Sequence, residues 1–231
     1  MASLVFLGTK GEIEESSPRH SYHSSLLIES GSRIVIDYGV LRKHSLDEIG
    51  PDALFITHAH PDHYAWLKEE IYTDIPVYLT RETLDYGKYK PRMTKVLEPG
   101  TPVTAGHIEI CPYRVIHSTR APAVGYRLTV ANRRLVYNPD LVDIVDKDAI
   151  LQGVDYYIGD GSSIRANLVR RRGETIFGHA RISTQINWCR RHGIENIIFT
   201  HLGKETIEKE DEFRNDHPDI SMAYDGMALE I

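Results

Sequence analysis

The stretch 55-FITHAHPDHYAWL-67 sets His58, His60, Asp62 and His63 within six positions, directly behind the apolar run 53-ALFI-56. Side chains alternate along a strand, so His58 and His60 are expected on one side with the small Ala59 between them. Pro61 suits the first turn of a helix, expected over 61–71, which would carry Asp62 and His63 at its start. Four ligand-type side chains then fan out from one strand-to-helix junction. Neutral imidazole suits zinc, iron or manganese, and aspartate suits the harder of these ions. A hydrated turn would explain any one of these histidines, but not the joint spacing His-x-His-x-Asp-His behind a buried strand. Two donors on the strand and two on the helix divide naturally between two metals.

Such a site needs donors from elsewhere, and four other strand-like runs end in one. His117 ends 113-YRVIH-117, Asp140 ends 134-RLVYNPD-140, Asp160 ends 156-YYIGD-160, and His201 ends 197-IIFTH-201. Side chains at strand ends can converge on one rim of a sandwich. His117 could complete a trio with His58 and His60, and His201 a second group with Asp62 and His63. A bridging carboxylate would hold two cations at the ~3.5–4 Å separation of two-metal hydrolytic sites. Asp140 and Asp160 compete for that role.

With these positions in place, the sequence resembles the metallo-β-lactamase-fold metallohydrolases. The resemblance rests on 34-IVIDYG-39 with Asp37, the motif at 58–63, His117, Asp140, His201 and the closing 225-DGMALEI-231, and so runs over nearly the whole chain. It implies an α/β fold: a four-layer αββα sandwich of two mixed sheets with helices outside, as a single domain over 1–231. It implies a first metal on His58, His60 and His117, a second on Asp62, His63 and His201, and Asp140 as the bridge. Asp37 would act from behind, orienting a ligand imidazole. The implied cofactors are two divalent metal ions, zinc foremost, with manganese or iron as alternatives.

The remaining sequence narrows the class. Hydrophobic residues make up 41% and charged residues 26% of the 231, which suits a packed globular chain rather than a disordered one. The net charge of -6 advertises no long nucleic acid as partner. Cys111 and Cys189 lie far apart, against a disulfide scaffold or a cysteine–zinc cluster and in keeping with a reducing cytosol. The run Leu4 to Leu7 stops at Gly8 and reads as a first strand rather than a signal sequence, and no stretch nears the roughly 18 apolar residues of a membrane span. A cytoplasmic protein is therefore expected, with a homodimer left open. Further helices are expected over 80–88, 143–152 and 182–193, the last stopped by Gly193, and a last strand over 221–231.

His179 precedes that third helix. In phosphodiesterase branches of the resembling family a histidine in a similar segment contacts the scissile phosphate, which implies a phosphate contact or proton donor here. The run 164-IRANLVRRRGE-174 reads first as a solvated loop or helix face; beside the cleft, Arg170, Arg171 and Arg172 could hold an anionic substrate through guanidinium forks. His44, His107, His192 and His217 read as surface or internally satisfied. His20 and His23 read the same way, although their loop could reach the rim.

Two metals sharing a water generate hydroxide at neutral pH and stabilise charge on substrate oxygens. Asp62 and His179 are the candidate catalytic residues beside this nucleophile. The donors alone do not choose among lactams, lactones, thioesters and phosphodiesters. Aspartate at 140 departs from the cysteine general in the β-lactamase branch. The opening 6-FLGTKGEIEESSPRHSYHSSLLI-28 resembles the ribonuclease Z and cyclic-phosphate phosphodiesterase group, without an obvious tRNA-gripping arm. A small or short phosphodiester is the expected substrate. The alternatives are a lactonase or thioesterase assisted by Tyr64 or Tyr113, a mononuclear iron dioxygenase, and a metal-dependent sensor domain with no catalysis.

Overall fold

A computed structural model describes residues 2–231. Strands β1 (Ser3–Gly8), β2 (Ser25–Glu29), β3 (Arg33–Ile36), β4 (Ala53–Phe55), β5 (Val77–Thr80) and β6 (Thr94–Leu97) run side by side in chain order. The first three are joined antiparallel, and β3 to β6 are parallel. A second sheet holds β7 (Val103–Ala105), β8 (Ile108–Ile116), β9 (Ala123–Val130), β10 (Arg133–Tyr137), β11 (Asp143–Ile144) and β12 (Tyr156–Asp160). Strands β13 (Arg170–Arg172) and β14 (Thr175–Phe177) pair only with each other. Strands β15 (Asn196–Thr200) and β16 (Ser221–Met222) finish the second sheet, and β17 (Ala228–Glu230) returns to pair with β1 in the first.

Both sheets owe their stacking to period-two patterning. Along β1, Leu4 and Phe6 are buried and alternate with half-buried neighbours. With Leu26, Ile28, Ile34 and Phe55 they meet Ile110, Tyr126, Leu128, Tyr137 and Ile158 of the facing sheet in one apolar layer. A second cluster covers the outer face of the second sheet, where the helix Ile182–Arg191 contributes Ile182, Ile186 and Cys189. A third packs Leu46, Ile49 and Trp66 on the outside of the first sheet. The order of layers is therefore helix, sheet, sheet, helix, the mixed sandwich expected of the metallo-β-lactamase fold.

The helices are short: α1 (Leu46–Ile49), α2 (Arg81–Tyr86), α3 (Lys147–Leu151), α4 (Ile182–Arg191), α5 (Lys204–Glu208) and α6 (Glu210–Asp216). The expected helices at 80–88 and 182–193 form, and Gly193 takes φ +69 just past the end of α4, where a left-handed residue stops a helix. Arg190 and Arg191 occupy its last turn and complement the helix dipole. Over 143–152 the first two residues instead form β11, and only Lys147–Leu151 are helical. The sequence reading passed over α1, although Ser45 and Glu48 form a capping box that spells its start.

Two expectations are corrected. Residues 61–71 form turns and a 3₁₀ turn over Ala65–Leu67, not a helix. The carbonyls of Pro61 and His63 accept from Val40 and Tyr38, and Ala65 donates back to Tyr38, so cross-chain bonds consume the groups a helix would need. The expected single strand over 221–231 breaks at Asp225 and Gly226 into β16 and β17, one in each sheet. Asp225 accepts from the Ser21 and Tyr22 amides and Gly226 has φ +85, which fixes a turn there. No helix among the described residues is long and apolar enough to cross a membrane.

Candidate metal centre

One rim of the sandwich gathers the strand ends. β4 stops at Phe55, so His58 and His60 lie on the loop beyond it rather than in strand alternation; they still face one another. His58 Nε2 is 2.9 Å from His60 Nδ1, and His117 Nε2, one residue past β8, is 3.4 Å from the same atom. Burial holds His58 and His117 below the ordinary imidazole range and brings His60 to about 4. These rings are therefore neutral at physiological pH, the state in which imidazole donates a lone pair.

The other half is charged. Asp62 Oδ2 lies 2.9 Å from His201 Nε2 and 3.2 Å from His63 Nε2, and Asp140 Oδ2 lies 2.8 Å from His63 Nε2 and 3.3 Å from His201 Nε2. Burial opposes charge on all four. Opposite charges nevertheless prevail, holding both carboxyls well below their usual range, His63 well above its own, and His201 up at about 9. His201 has φ +54, a conformation costly for a non-glycine residue, which turns its ring back from the end of β15 into the cluster. Gly11 is the floor beneath that ring: a Cβ there would come within 2.9 Å of His201 Cε1.

Asp37, also left-handed at φ +65, stands behind the cluster and is fully buried. Its carboxylate accepts from His63 Nδ1 at 2.8 Å, from the Thr57 amide at 2.8 Å and from the Thr57 hydroxyl at 2.9 Å. Burial pushes this carboxyl above its ordinary range against those three donors. The bond to Nδ1 leaves His63 Nε2 facing Asp62 and Asp140.

Asp140 is common to three groups of potential donors whose atoms lie within 4.8 Å of one another: with His58, His60 and His117; with Asp62, His63 and His201; and with Asp160, His179 and His201. Asp160 is occupied elsewhere. It accepts from the amides of Leu141 and Ser162 and from His179 Nδ1 at 2.8 Å, bracing the loop that carries Asp140. His179 is also 3.1 Å from Asp140 Oδ1. Burial disfavours its charge, but the nearby carboxylates of Asp160, which accepts its hydrogen bond, and of Asp140 lift it to about 11.

The residues fit a pair of cations. Asp62 Oδ1, Asp140 Oδ1 and His63 Nε2 are buried without an aligned hydrogen-bond partner, the last despite its short contact to Asp140. Buried polar atoms of this kind are uncommon and call for a ligand. The carboxylates are balanced here by imidazolium protons, which a divalent ion could replace.

A cleft of about 540 Å³ opens over the cluster, lined by His60, Asp62, His117, Asp140, His179 and His201, with Glu12, Ile13, Ser162, Ala166, Leu168 and Lys204 also in its wall. Sequence reasoning missed Ser162, whose hydroxyl lies 3.1 Å from both His179 and His201; its place next but one to Asp160 was the available signal. Neither His20 nor His23 lines the cleft or joins the donor groups. His20 is buried between Thr9 and Glu210, and His23 accepts from the Leu41 amide. Arg170 to Arg172 form the exposed strand β13, not a helix face, and the hairpin it begins is rooted where Gly178 bonds to the His117 carbonyl.

Comparison with known proteins agrees with this fold. Residues 37–202 match the family described as the beta-lactamase superfamily domain. No curated protein matches the chain. Among solved structures, the metallo-beta-lactamase fold protein YhfI from Bacillus subtilis superposes with a TM-score of 0.76 at 19% identity, covering 100% of this chain and 99% of its own. A diphosphatase of the PhnP family gives 0.71 at 18% identity, with 100% and 98% covered. The short form of human tRNase Z gives 0.67 at 16% identity, with 99% of each covered. At these identities the likeness is one of fold.

Proposed function

This chain belongs to the β-lactamase superfamily, and from that premise we propose that it is a dinuclear metal-dependent hydrolase acting on a small or short phosphodiester. The observation that carries the reading is the Asp140 carboxylate, within reach of both histidine groups at once. A first cation would be held by His58, His60 and His117, a second by Asp62, His63 and His201, with Asp140 between them. Bound there, two divalent ions, zinc by the balance of nitrogen and carboxylate donors, would acidify water and neutralise charge on substrate oxygens.

The chain's own residues do the rest. Asp37 fixes the His63 ring through Nδ1. Asp160 holds His179 and favours its protonated form, and His179 lines the cleft, so it can contact a phosphoryl oxygen or hand a proton to the leaving alcohol. Arg170 to Arg172 are exposed on β13 and do not line the cleft, so the reading does not call on them. The phosphodiester reading is supported by the fold shared with a diphosphatase and a tRNase Z. The lactonase or thioesterase reading loses the tyrosines it called on. Tyr64 and Tyr113 are buried away from the cleft lining, and the Tyr113 hydroxyl is bonded to Asn138.

The metal-reconstituted protein is expected to hydrolyse bis(p-nitrophenyl) phosphate, and to do so at least tenfold faster than a γ-lactone or an acyl thioester at equal concentration. Turnover of either ester without the phosphodiester would overturn the substrate class.

A further inference from the structure

Three carboxylates line the cleft without a part in the two-cation reading: Glu12, Glu205 and Glu208. Glu12 lines it beside Asp62, His60 and His201, on the segment between β1 and β2. That segment is pinned on both sides. The Lys10 ammonium, on a residue only 3% exposed, donates to the Ile13 carbonyl at 3.0 Å, and the Gly11 amide donates to the Leu202 carbonyl at 3.1 Å. Lys204, across the mouth, pairs with Glu15 at 2.5 Å.

The other charged groups of the outer lining are engaged. Glu205 accepts from the Ser163 hydroxyl and the Arg165 and Ala166 amides, and Glu208 and Lys204 face each other at 3.9 Å. Glu12 has no hydrogen bond or ion pair among the described residues. Glu12 is exposed to the cleft, and its carboxyl is pushed up by partial burial and then by the charge of Asp62.

A free carboxylate in the wall of a site for anions works against binding unless the substrate brings a donor to it. The cleft, at about 540 Å³, is also larger than a bare phosphate requires. We propose that Glu12 is a specificity-determining residue that accepts a hydrogen bond from an O–H or N–H on the alcohol portion of the substrate. The cleft then selects phosphodiesters of hydroxyl-bearing molecules such as nucleosides over simple aryl or alkyl esters. This inference rests on the phosphodiesterase reading and deepens it.

The test compares two substrates in three proteins. The ratio of kcat/KM for thymidine 5′-(p-nitrophenyl phosphate) to that for bis(p-nitrophenyl) phosphate is measured for the metal-reconstituted wild type, Glu12→Ala and Glu14→Ala. Glu14, exposed like Glu12, belongs to the same segment but does not line the cleft. The ratio is expected to fall at least tenfold in Glu12→Ala, the scale of a hydrogen bond to a charged acceptor, and to hold in Glu14→Ala. An unchanged ratio in Glu12→Ala, or an equal fall in both variants, overturns the proposal. Calorimetric titration with thymidine 5′-phosphate and methyl phosphate reads the same preference without turnover. Loss of the preference in Glu12→Ala supports the role, and its persistence refutes it. A wild type that turns over neither ester overturns the phosphodiesterase reading, while the titration still decides on Glu12.

Discussion

Asp140→Ala is expected to lower kcat/KM for a phosphodiester by about 10³-fold or more and to leave fewer than two metals bound per chain. The magnitude follows from the several kcal/mol of charge stabilisation that a paired metal site supplies, at about 1.4 kcal/mol per tenfold in rate. Asp140 is the single side chain that approaches His58, His63, His117, His179 and His201 together. Removing it also withdraws the negative charge that keeps His63 and His201 protonated when no cation is bound. Electrostatics therefore predict a loss of cation affinity rather than a collapse of the fold. Elemental analysis beside steady-state rates checks both parts. Full activity with two metals retained would assign the bridge elsewhere, with Asp160 the next candidate.

The second large effect is on stability. Asp37→Ala strands three buried donors at once: His63 Nδ1, the Thr57 amide and the Thr57 hydroxyl. Each unsatisfied buried donor costs about 1–3 kcal/mol, so a loss of at least ~3 kcal/mol is expected in urea unfolding of the metal-free protein. Alanine is also poorly suited to the φ of +65 at this position. Asp37→Asn keeps an acceptor oxygen and tolerates the left-handed backbone, so it should recover part of that stability. Both variants should weaken metal binding by about 10–100-fold through the freed His63 ring. A melting curve for Asp37→Ala equal to that of the wild type would show that Asp37 does not support the site from behind.

What could be read in the chain follows from how local each feature is. The motif at 58–63 was legible because four donors are contiguous. His117, Asp140, Asp160 and His201 were legible because each ends, or closely follows, an apolar strand run. The backbone beneath the motif was not legible. Pro61 suits a helix start, but the carbonyls that would continue a helix are taken by Tyr38 and Val40, residues more than twenty positions away. The roles of Asp140 and Asp160 differ only through contacts: Asp160 is saturated by the Leu141 and Ser162 amides and His179, whereas Asp140 keeps an oxygen without an aligned partner. Glu12 gave no sequence signal, because nothing in 11-GEIEES-16 marks which glutamate meets the cleft. His20 was ambiguous for the opposite reason, since its partners Thr9 and Glu210 are brought to it by the fold.

Asp140, between the group of His58, His60 and His117 and the group of Asp62, His63 and His201, is proposed to hold two cations that act together. The most direct measurement is a zinc titration of chelator-stripped protein, following hydrolysis of bis(p-nitrophenyl) phosphate and bound metal in the same samples. Two ions bound per chain, with activity rising mainly as the second site fills, is the predicted result. Saturation at one ion per chain with full activity would contradict it.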